Sequence, residues 1–477
     1  MKKLLILTAA LFAAISCTKE EADPEVVITT LTGTEFTLSQ FEVHTFPATD
    51  VWVIEDQSAT ASDFAGLSAA IEYISSSDAT RQIELEFSNL TSIPAYAIYG
   101  VSISNATRDF TALSSLSAPY VASVGAYAFE FCDGLTELDM PNVEYVGSYA
   151  FRGCSSLKEV DMPYASVIEY AAFNNCSSLV SVDVPLLESV ADQTFAYCTS
   201  LSYISLPVAE SIGSSAFSYN YSLETISAPE VVTIAERAFS DCLVLDSIDA
   251  PQLEEIGDYA FISCESLENF TITSLVSSLG VGVFNNCSML TDIVDQSEGY
   301  LFESGVLYNA DQTEVVIALQ SVVEGDLTLS ESVTSIRARA FYNCSLITSV
   351  TIPSVEVISE AAFAHCTAIT EATVSAATTL EDNAFYNCLI MTTFTAPEVT
   401  SIGSKSFYNC ERLVDFYLAT NPDVVIEELD VHAFHSCPIE YATLTVGAAN
   451  ADNVTYGDTL NVGLYSYEFD SIVVLES

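Results

Sequence analysis

Apolar positions along this chain recur as a block of fixed length. The unit reads Leu-x-x-Ile-x-Φ-Pro-x-Φ-x-x-Ile-Gly-x-x-Ala-Phe-x-x-Cys-x-x-Leu, where Φ is apolar. One copy runs through Leu135, Leu138, Met140, Pro141, Val143, Val146, Gly147, Ala150, Phe151 and Cys154. From Phe129 to Phe261 the phenylalanine returns every 22 residues, six times running. The step is 23 to Phe284, 22 again through Phe341, Phe363, Phe385 and Phe407, and 27 to Phe434. Alternation at Leu138 and Met140 has period two and predicts a short strand. Proline closes that strand at Pro141, Pro163, Pro185, Pro207, Pro229 and Pro251, and again at Pro353 and Pro397, because it has no amide to give a ladder. Gly147, Gly213, Gly257 and Gly403 mark the following turn. Ala-Phe-x-x-Cys is too short for a free-standing helix and predicts one helical turn on the opposite wall.

A coil of about 22 residues cannot enclose its own apolar side chains. Stacking coils buries them between neighbours as one core. The expected fold class is therefore an α/β repeat solenoid, with a parallel sheet on one face, short helical turns on the other and capped ends. Residues 121–440 carry the repeat. Residues 295–330 interrupt it: Phe284 to Phe341 is 57 residues. Tyr300 to Phe302, Gly305 to Tyr308 and Val315 to Ile317 read there as short hairpin strands, an irregular coil that keeps the core continuous; a lateral protrusion for binding is the alternative. Residues 51–120 read as an N-terminal cap with degenerate first repeats. Phe64, Leu67, Ala70, Ile71 and Ile74 have helical spacing behind an N-cap at Ser62 or Asp63, and a strand follows at Ile83 to Phe87. Residues 441–477 read as a C-terminal cap.

The first residues carry a targeting pattern. Lys2 and Lys3 precede an apolar run from Leu4 to Ile15, of signal-peptide length and too short to span a bilayer. Ala14-Ile15-Ser16-Cys17 resembles a bacterial lipobox, with Ala14 where leucine is usual. Residues 1–16 then form the signal peptide, Cys17 takes the lipid, and 17–50 form a tether with short strands. The alternative is an ordinary signal peptide with an incidental cysteine. Thr18-Lys19-Glu20-Glu21 resembles the surface-export signal of Bacteroidota lipoproteins. The expected location is the outer membrane, lipid-anchored and exposed at the cell surface.

Net charge is −53, from 65 acidic and 12 basic residues. Such a chain repels nucleic acid and anionic lipid, so membrane contact is expected only through the lipid at Cys17. Half the residues are hydrophobic, which sets it apart from a disordered acidic tail. Of 13 cysteines, twelve occupy the repeat position: Cys132, Cys154, Cys176, Cys198, Cys242, Cys264, Cys287, Cys344, Cys366, Cys388, Cys410 and Cys437. An exported protein invites a disulfide framework. Stacked coils would place equivalent Cα atoms about 4.8 Å apart, within disulfide reach, but their Cβ vectors run parallel. Asn220 also takes one cysteine position, leaving runs of four, three and five, so neighbour pairing would strand a thiol in two of them. A structural ladder of small buried residues, each with a weak hydrogen bond to the backbone turn, is the expected role.

The unit is similar to the leucine-rich repeat of the BspA-like family of bacterial surface proteins, over residues 85 to 440. The resemblance implies right-handed coils in a horseshoe or flattened solenoid, and adhesion to host or partner-cell molecules. Asparagine is a residue that the leucine-rich-repeat consensus admits at the cysteine position.

Alternation turns the residues between the buried ones outward. These are Glu137 and Asp139, Glu159 and Asp161, then Ser181 and Asp183, followed by Tyr203, Asp249 and Tyr417 among mostly hydroxyl positions. Glu137, Asp139, Glu159, Asp161, Asp183, Tyr203, Asp249 and Tyr417 form the candidate partner-binding face. Asp139, Asp161 and Asp183 should stand in a column, repelling one another by about 0.9 kcal/mol per neighbour even at water's dielectric and 4.8 Å spacing. A Lys/Arg-rich partner would relieve that; a solvated face is the plainer reading. A flat column lacks the six to eight oxygens that calcium takes. His432 and His435 lie three apart with no third ligand pattern. No Gly-x-Ser-x-Gly, phosphate loop or His-Glu-x-x-His is present. The expectation is a binding and adhesion protein contacting a protein ligand, with no cofactor, metal or catalytic residue. A carbohydrate-binding surface protein is the alternative.

Overall fold

The computed structural model describes residues 27–31, 49–54, 61–77, 82–98, 110–455, 459–462 and 465–475. The residues expected to form a signal peptide, Cys17 and the Thr18 to Glu21 segment lie outside them. The chain divides into two compact units, Met1–Val231 and Val232–Ser477. Each is a stack of parallel-stranded coils, and together they make about 14 turns of roughly 22 residues.

In the first unit, the strands Val27–Leu31, Thr49–Ile54, Gln82–Phe87, Leu113–Ser117 and Glu137–Asp139 form one parallel sheet. Glu159–Asp161 pairs with Ser181–Asp183, and Tyr203–Ser205 with Thr225–Ser227, again in parallel. A second ladder of two-residue strands runs down another wall through Ser92–Ile93, Ser123–Val124, Tyr145–Val146 and Val167–Ile168. A helix, Ala61–Ser77, crosses between the second and third strands of the large sheet. It buries Phe64, Leu67, Ala70, Ile71 and Ile74, and Phe64 meets Phe87 at 5.5 Å between ring centroids. The helix begins at Ala61, so Ser62 and Asp63 lie in its first turn and do not cap it.

The Ala-Phe-x-x-Cys wall differs from a helical turn. Its amides form successive i→i−3 bonds: Ala150 to Gly147, Arg152 to Tyr149, and Cys154 to Phe151. Between them the chain enters the left-handed region at Tyr149 (φ 60°) and Gly153 (φ 73°), and in the next coil at Ala171 and Asn175. This breaks the helix but turns alternate amides sideways. Phe129 N–H then donates to Ala150 O at 2.7 Å, and Phe151 N–H to Ala172 O at 2.8 Å. The third wall is thus itself a ladder between coils. Inside it the phenylalanine rings stack in file, at 5.3, 5.3, 5.8 and 5.6 Å from Phe129 through Phe217. Gly147 serves close approach between coils: a Cβ there would lie 2.7 Å from the Ala126 amide nitrogen.

The second unit repeats this plan. Phe239, Phe261 and Phe284 stack at 5.2 and 5.8 Å, and Phe341 through Phe434 at 4.8 to 6.0 Å. Asn269–Ile272 pairs with Asp292–Asp295. A seven-stranded parallel sheet begins at Gly325–Thr328 and runs through Ile347–Ile352, Glu371–Val374, Thr393–Ala396, Asp415–Leu418 and Thr443–Val446 to Ser471–Val474. The irregular coil is an antiparallel meander, Tyr300–Glu303, Val306–Asn309 and Glu314–Ala318, whose last strand joins Ser335–Ile336 in parallel. Val306, Leu307, Val315 and Ile317 are buried. Near the C-terminal end, Thr459–Val462 pairs antiparallel with Tyr465–Glu468, and the Tyr467 hydroxyl donates to Leu429 O and Asp430 O.

Candidate functional site: the outward strand face

The strand ladder fixes which side chains share a file. Val160 and Val182 point into the core, so Glu159, Asp161, Ser181 and Asp183 are exposed on the opposite face. Register places Ser181 beside Glu159 and Asp183 beside Asp161. Upstream, Glu137 stands beside Ser115 and Asp139 beside Ser117, and the Ser117 hydroxyl donates to the Asp139 carboxylate at 3.0 Å. The strand Glu137–Asp139 ends its sheet and Glu159–Asp161 begins the next.

The same register extends the acidic file to residues that sequence reasoning had placed in the cap. Glu84 stands beside Ser115 and Glu86 beside Ser117. Partial burial, and after it the nearby Asp139 charge, hold the Glu86 carboxyl above its ordinary value. The period-two run Gln82-Ile83-Glu84-Leu85-Glu86-Phe87 was the available signal. Tyr203 is 50% exposed, beside Thr225. In the second unit Tyr417 is 40% exposed between Thr395 and Thr445. Asp249 is exposed there at the mouth of a cleft of about 330 Å³ with Asn269, Phe270 and Gln296. The face residues therefore group within their own unit, with Asp249 and Tyr417 on the second.

The cysteine positions form an interior file. All twelve cysteines among the described residues are buried and stand outside any disulfide. Each of most of them donates to the carbonyl of the phenylalanine one coil earlier: Cys154 to Phe129 at 3.2 Å, Cys176 to Phe151 at 3.2 Å, Cys264 to Phe239 at 3.3 Å and Cys366 to Phe341 at 3.1 Å. Burial pushes the thiols of Cys198 and Cys287 up to about 12, so neither is a reactive thiolate at neutral pH. Asn220 is equally buried, but neither its side-chain nitrogen nor its oxygen has a hydrogen-bond partner among the described residues. The weak turn bond expected of this position is made by cysteine and not by asparagine.

Aromatic side chains also line the outer edge of the turn wall. Tyr96, Tyr127 and Tyr149 stack at 4.9 and 4.7 Å, and Arg152 lies over Tyr149 while its guanidinium meets the buried Glu130 carboxylate at 3.1 Å. Rings stacked at this spacing cover one another's faces and leave edges and hydroxyls outward. Among the described residues no group of three or more His, Cys, Asp or Glu is placed to hold a metal ion. His432 lies 3.4 Å from Asp430, whereas His435 stacks on Tyr408 at 5.1 Å, so the two histidines have separate partners.

The profile of the BspA type leucine rich repeat region matches in six copies over residues 122–234, 210–324 and 334–461. The chain belongs to this family. Proteins of this repeat type are generally binding proteins and not enzymes, and those at cell surfaces generally bind proteins. No curated protein sequence matches the chain. Among solved structures, it is similar to a leucine rich cell surface protein from Faecalibacterium prausnitzii, with 21% identity over 69% of this chain and 83% of that one, TM-score 0.44. A leucine-rich repeat protein from Bacteroides ovatus matches at 22% identity over 76% and 88%, also with TM-score 0.44. No helix among the described residues is long and apolar enough to cross a membrane.

Proposed function

We propose that this chain is a cell-surface lipoprotein, anchored through Cys17 to the outer membrane, that binds a protein partner on its outward strand face. The observation that carries the reading is the acidic file of the first unit. Asp161 and Asp183 stand in register on a rigid parallel ladder, with Glu84, Glu86, Glu137 and Asp139 on the sheet before them. Asp161 and Asp183, neighbours at strand spacing, repel by about 0.9 kcal/mol at water's dielectric, and carboxylates two strands apart, such as Glu86 and Asp139, by about 0.4 kcal/mol; a Lys/Arg-rich surface relieves both. Backbone pairing fixes the strands that carry these side chains, so docking orders side chains but not chain segments. Carbohydrate recognition calls for open aromatic faces, and the tyrosine file on the turn wall presents edges instead.

Two experiments test the reading. Cys17→Ala should abolish incorporation of labelled palmitate and release the protein from membranes; an unchanged lipid label refutes the anchor. The fragment beginning after Cys17 should capture basic proteins from a host-surface extract in a salt-dependent manner, and charge reversal of Asp139, Asp161 and Asp183 to lysine should remove that capture. Capture unchanged by the triple reversal refutes the docking face.

A further inference from the structure

The irregular coil leaves a strand edge open. Gly325–Thr328 is the first strand of the seven-stranded sheet and, among the described residues, pairs only with Ile347–Ile352. The Gly325 amide donates to Leu346 O and the Leu329 amide to Thr351 O. Backbone groups alternate sides along a strand, so Leu327 shares that direction, whereas Asp326 and Thr328 aim their N–H and C=O at the unpaired side. The preceding strand, Asp292–Asp295, pairs back to Asn269–Ile272 and not forward. The consequence shows in the core. Val350, Ala372, Phe394 and Phe416 are at most 1% exposed, but Leu327, beside Val350 in the same ladder, is only partly buried.

A cavity of about 470 Å³ lies along this edge. Val306, Tyr308, Val322 and Leu327 give it apolar walls, while Glu303, Glu324 and Asp326 reach its rim and are exposed. The wall opposite the strand is firmly built. Ser304 (φ 51°) and Gly305 (φ 82°) make the two-residue hairpin turn that the twist of the meander favours. Leu319 N–H donates to Gly305 O at 2.8 Å, and a Cβ at Gly305 would collide with Val322.

We infer that this edge is a docking site for an extended peptide segment that adds a strand beside Asp326–Thr328 and sets a lysine or arginine side chain into the cavity. Main-chain pairing to an exposed edge provides affinity, and a pocket beside it provides side-chain preference. The rim selects the occupant: the Glu303 and Glu324 carboxylates, with Asp326 beside them accepting from Thr348 and Ser349, and no base among the lining residues, surround walls that fit the methylene stem of a long cationic side chain. This site lies in the second unit and is separate from the acidic file of the first.

The probe is the fluorescein-labelled peptide acetyl-Thr-Val-Lys-Val-Thr-amide, with its Lys→Glu analogue, followed by anisotropy against the fragment after Cys17. The lysine peptide should bind saturably and at least tenfold tighter than the glutamate analogue. Glu303→Gln with Glu324→Gln should erase that preference. Thr328→Pro, which removes an outward amide and leaves the charges, should abolish binding of both peptides. The triple lysine variant of Asp139, Asp161 and Asp183 should bind the probe as the parent does. Amide exchange gives a second readout without any variant: Asp326 and Thr328 should exchange at least tenfold faster than Leu327, and the lysine peptide should slow them. Protection of all three amides in the free chain, absence of saturable binding to one millimolar, or loss of probe binding in the triple variant each overturns the proposal.

Discussion

Asn220→Cys should make the protein more stable. Asn220 occupies the interior file between Cys198 and the next coil, fully buried, with both polar atoms of its amide lacking a partner among the described residues. An unsatisfied buried polar group costs about 1–3 kcal/mol. A thiol in its place has a ready acceptor: Cys198 donates to Phe173 O at 3.3 Å, and the equivalent carbonyl for residue 220 is that of Phe195. Cysteine is close to asparagine in size, so the change opens little cavity. The expected gain is about 1–2 kcal/mol, allowing for imperfect geometry. For a unit of 231 residues, each kcal/mol moves the midpoint by about 2–4 °C. The assay is urea and thermal unfolding of the fragment after Cys17, followed by circular dichroism under reducing conditions, with Asn220→Ser as the control that keeps a polar group. A loss of 1 kcal/mol or more in Asn220→Cys would show instead that the amide is hydrogen-bonded in the native fold.

Two further outcomes follow from the same packing. Phe173→Ala removes a buried ring stacked at 5.3 and 5.8 Å between its neighbours, and should cost about 3–5 kcal/mol in urea unfolding; a cost below 1 kcal/mol would mean the file collapses around the gap. Glu86→Gln should stabilise the chain at neutral pH. The folded-state value is raised, so the protonated form is favoured on folding: the benefit of protonation is complete below the unfolded value near 4.3 and is lost as pH rises through the folded one. The Asp139 charge two strands away accounts for about 0.4 kcal/mol at water's dielectric and strand spacing. The advantage of glutamine at pH 7 should vanish at pH 3.5, and an advantage that persists there contradicts the charge origin.

The fold was largely legible because periodicity determines it. A 22-residue recurrence of Phe151 and Cys154 equivalents admits few arrangements other than stacked coils, and the period-two positions Leu138 and Met140 mark the sheet. The turn wall was not legible. The second left-handed position of the coil does carry the glycine or asparagine signature of that region in Gly153, Asn175, Asn343, Asn387 and Asn409, but the first is held by Tyr149, Ala171 and Gln193, because the ladder between coils supplies the stabilisation a local preference would otherwise give. The meander of residues 300–318 was readable from Ser304-Gly305 and its flanking apolar runs. The open edge at Gly325–Thr328 was hidden, since it depends on which strand fails to pair. For the candidate face, the positions that alternation turns outward are exposed or half-buried on their strands, but that pattern begins at Glu137 in the repeat, because Gln82 to Phe87 reads as part of a cap.

The 22-residue turns stack so as to enclose their aromatic rings and thiols. Counting reactive thiols tests it most directly, using an Ellman titration of the fragment after Cys17, purified without reductant. The stacked structure predicts no reaction in native buffer and twelve thiols in guanidinium. Fast native labelling at Cys154, Cys176 or Cys366, or fewer than twelve thiols after unfolding, would contradict it.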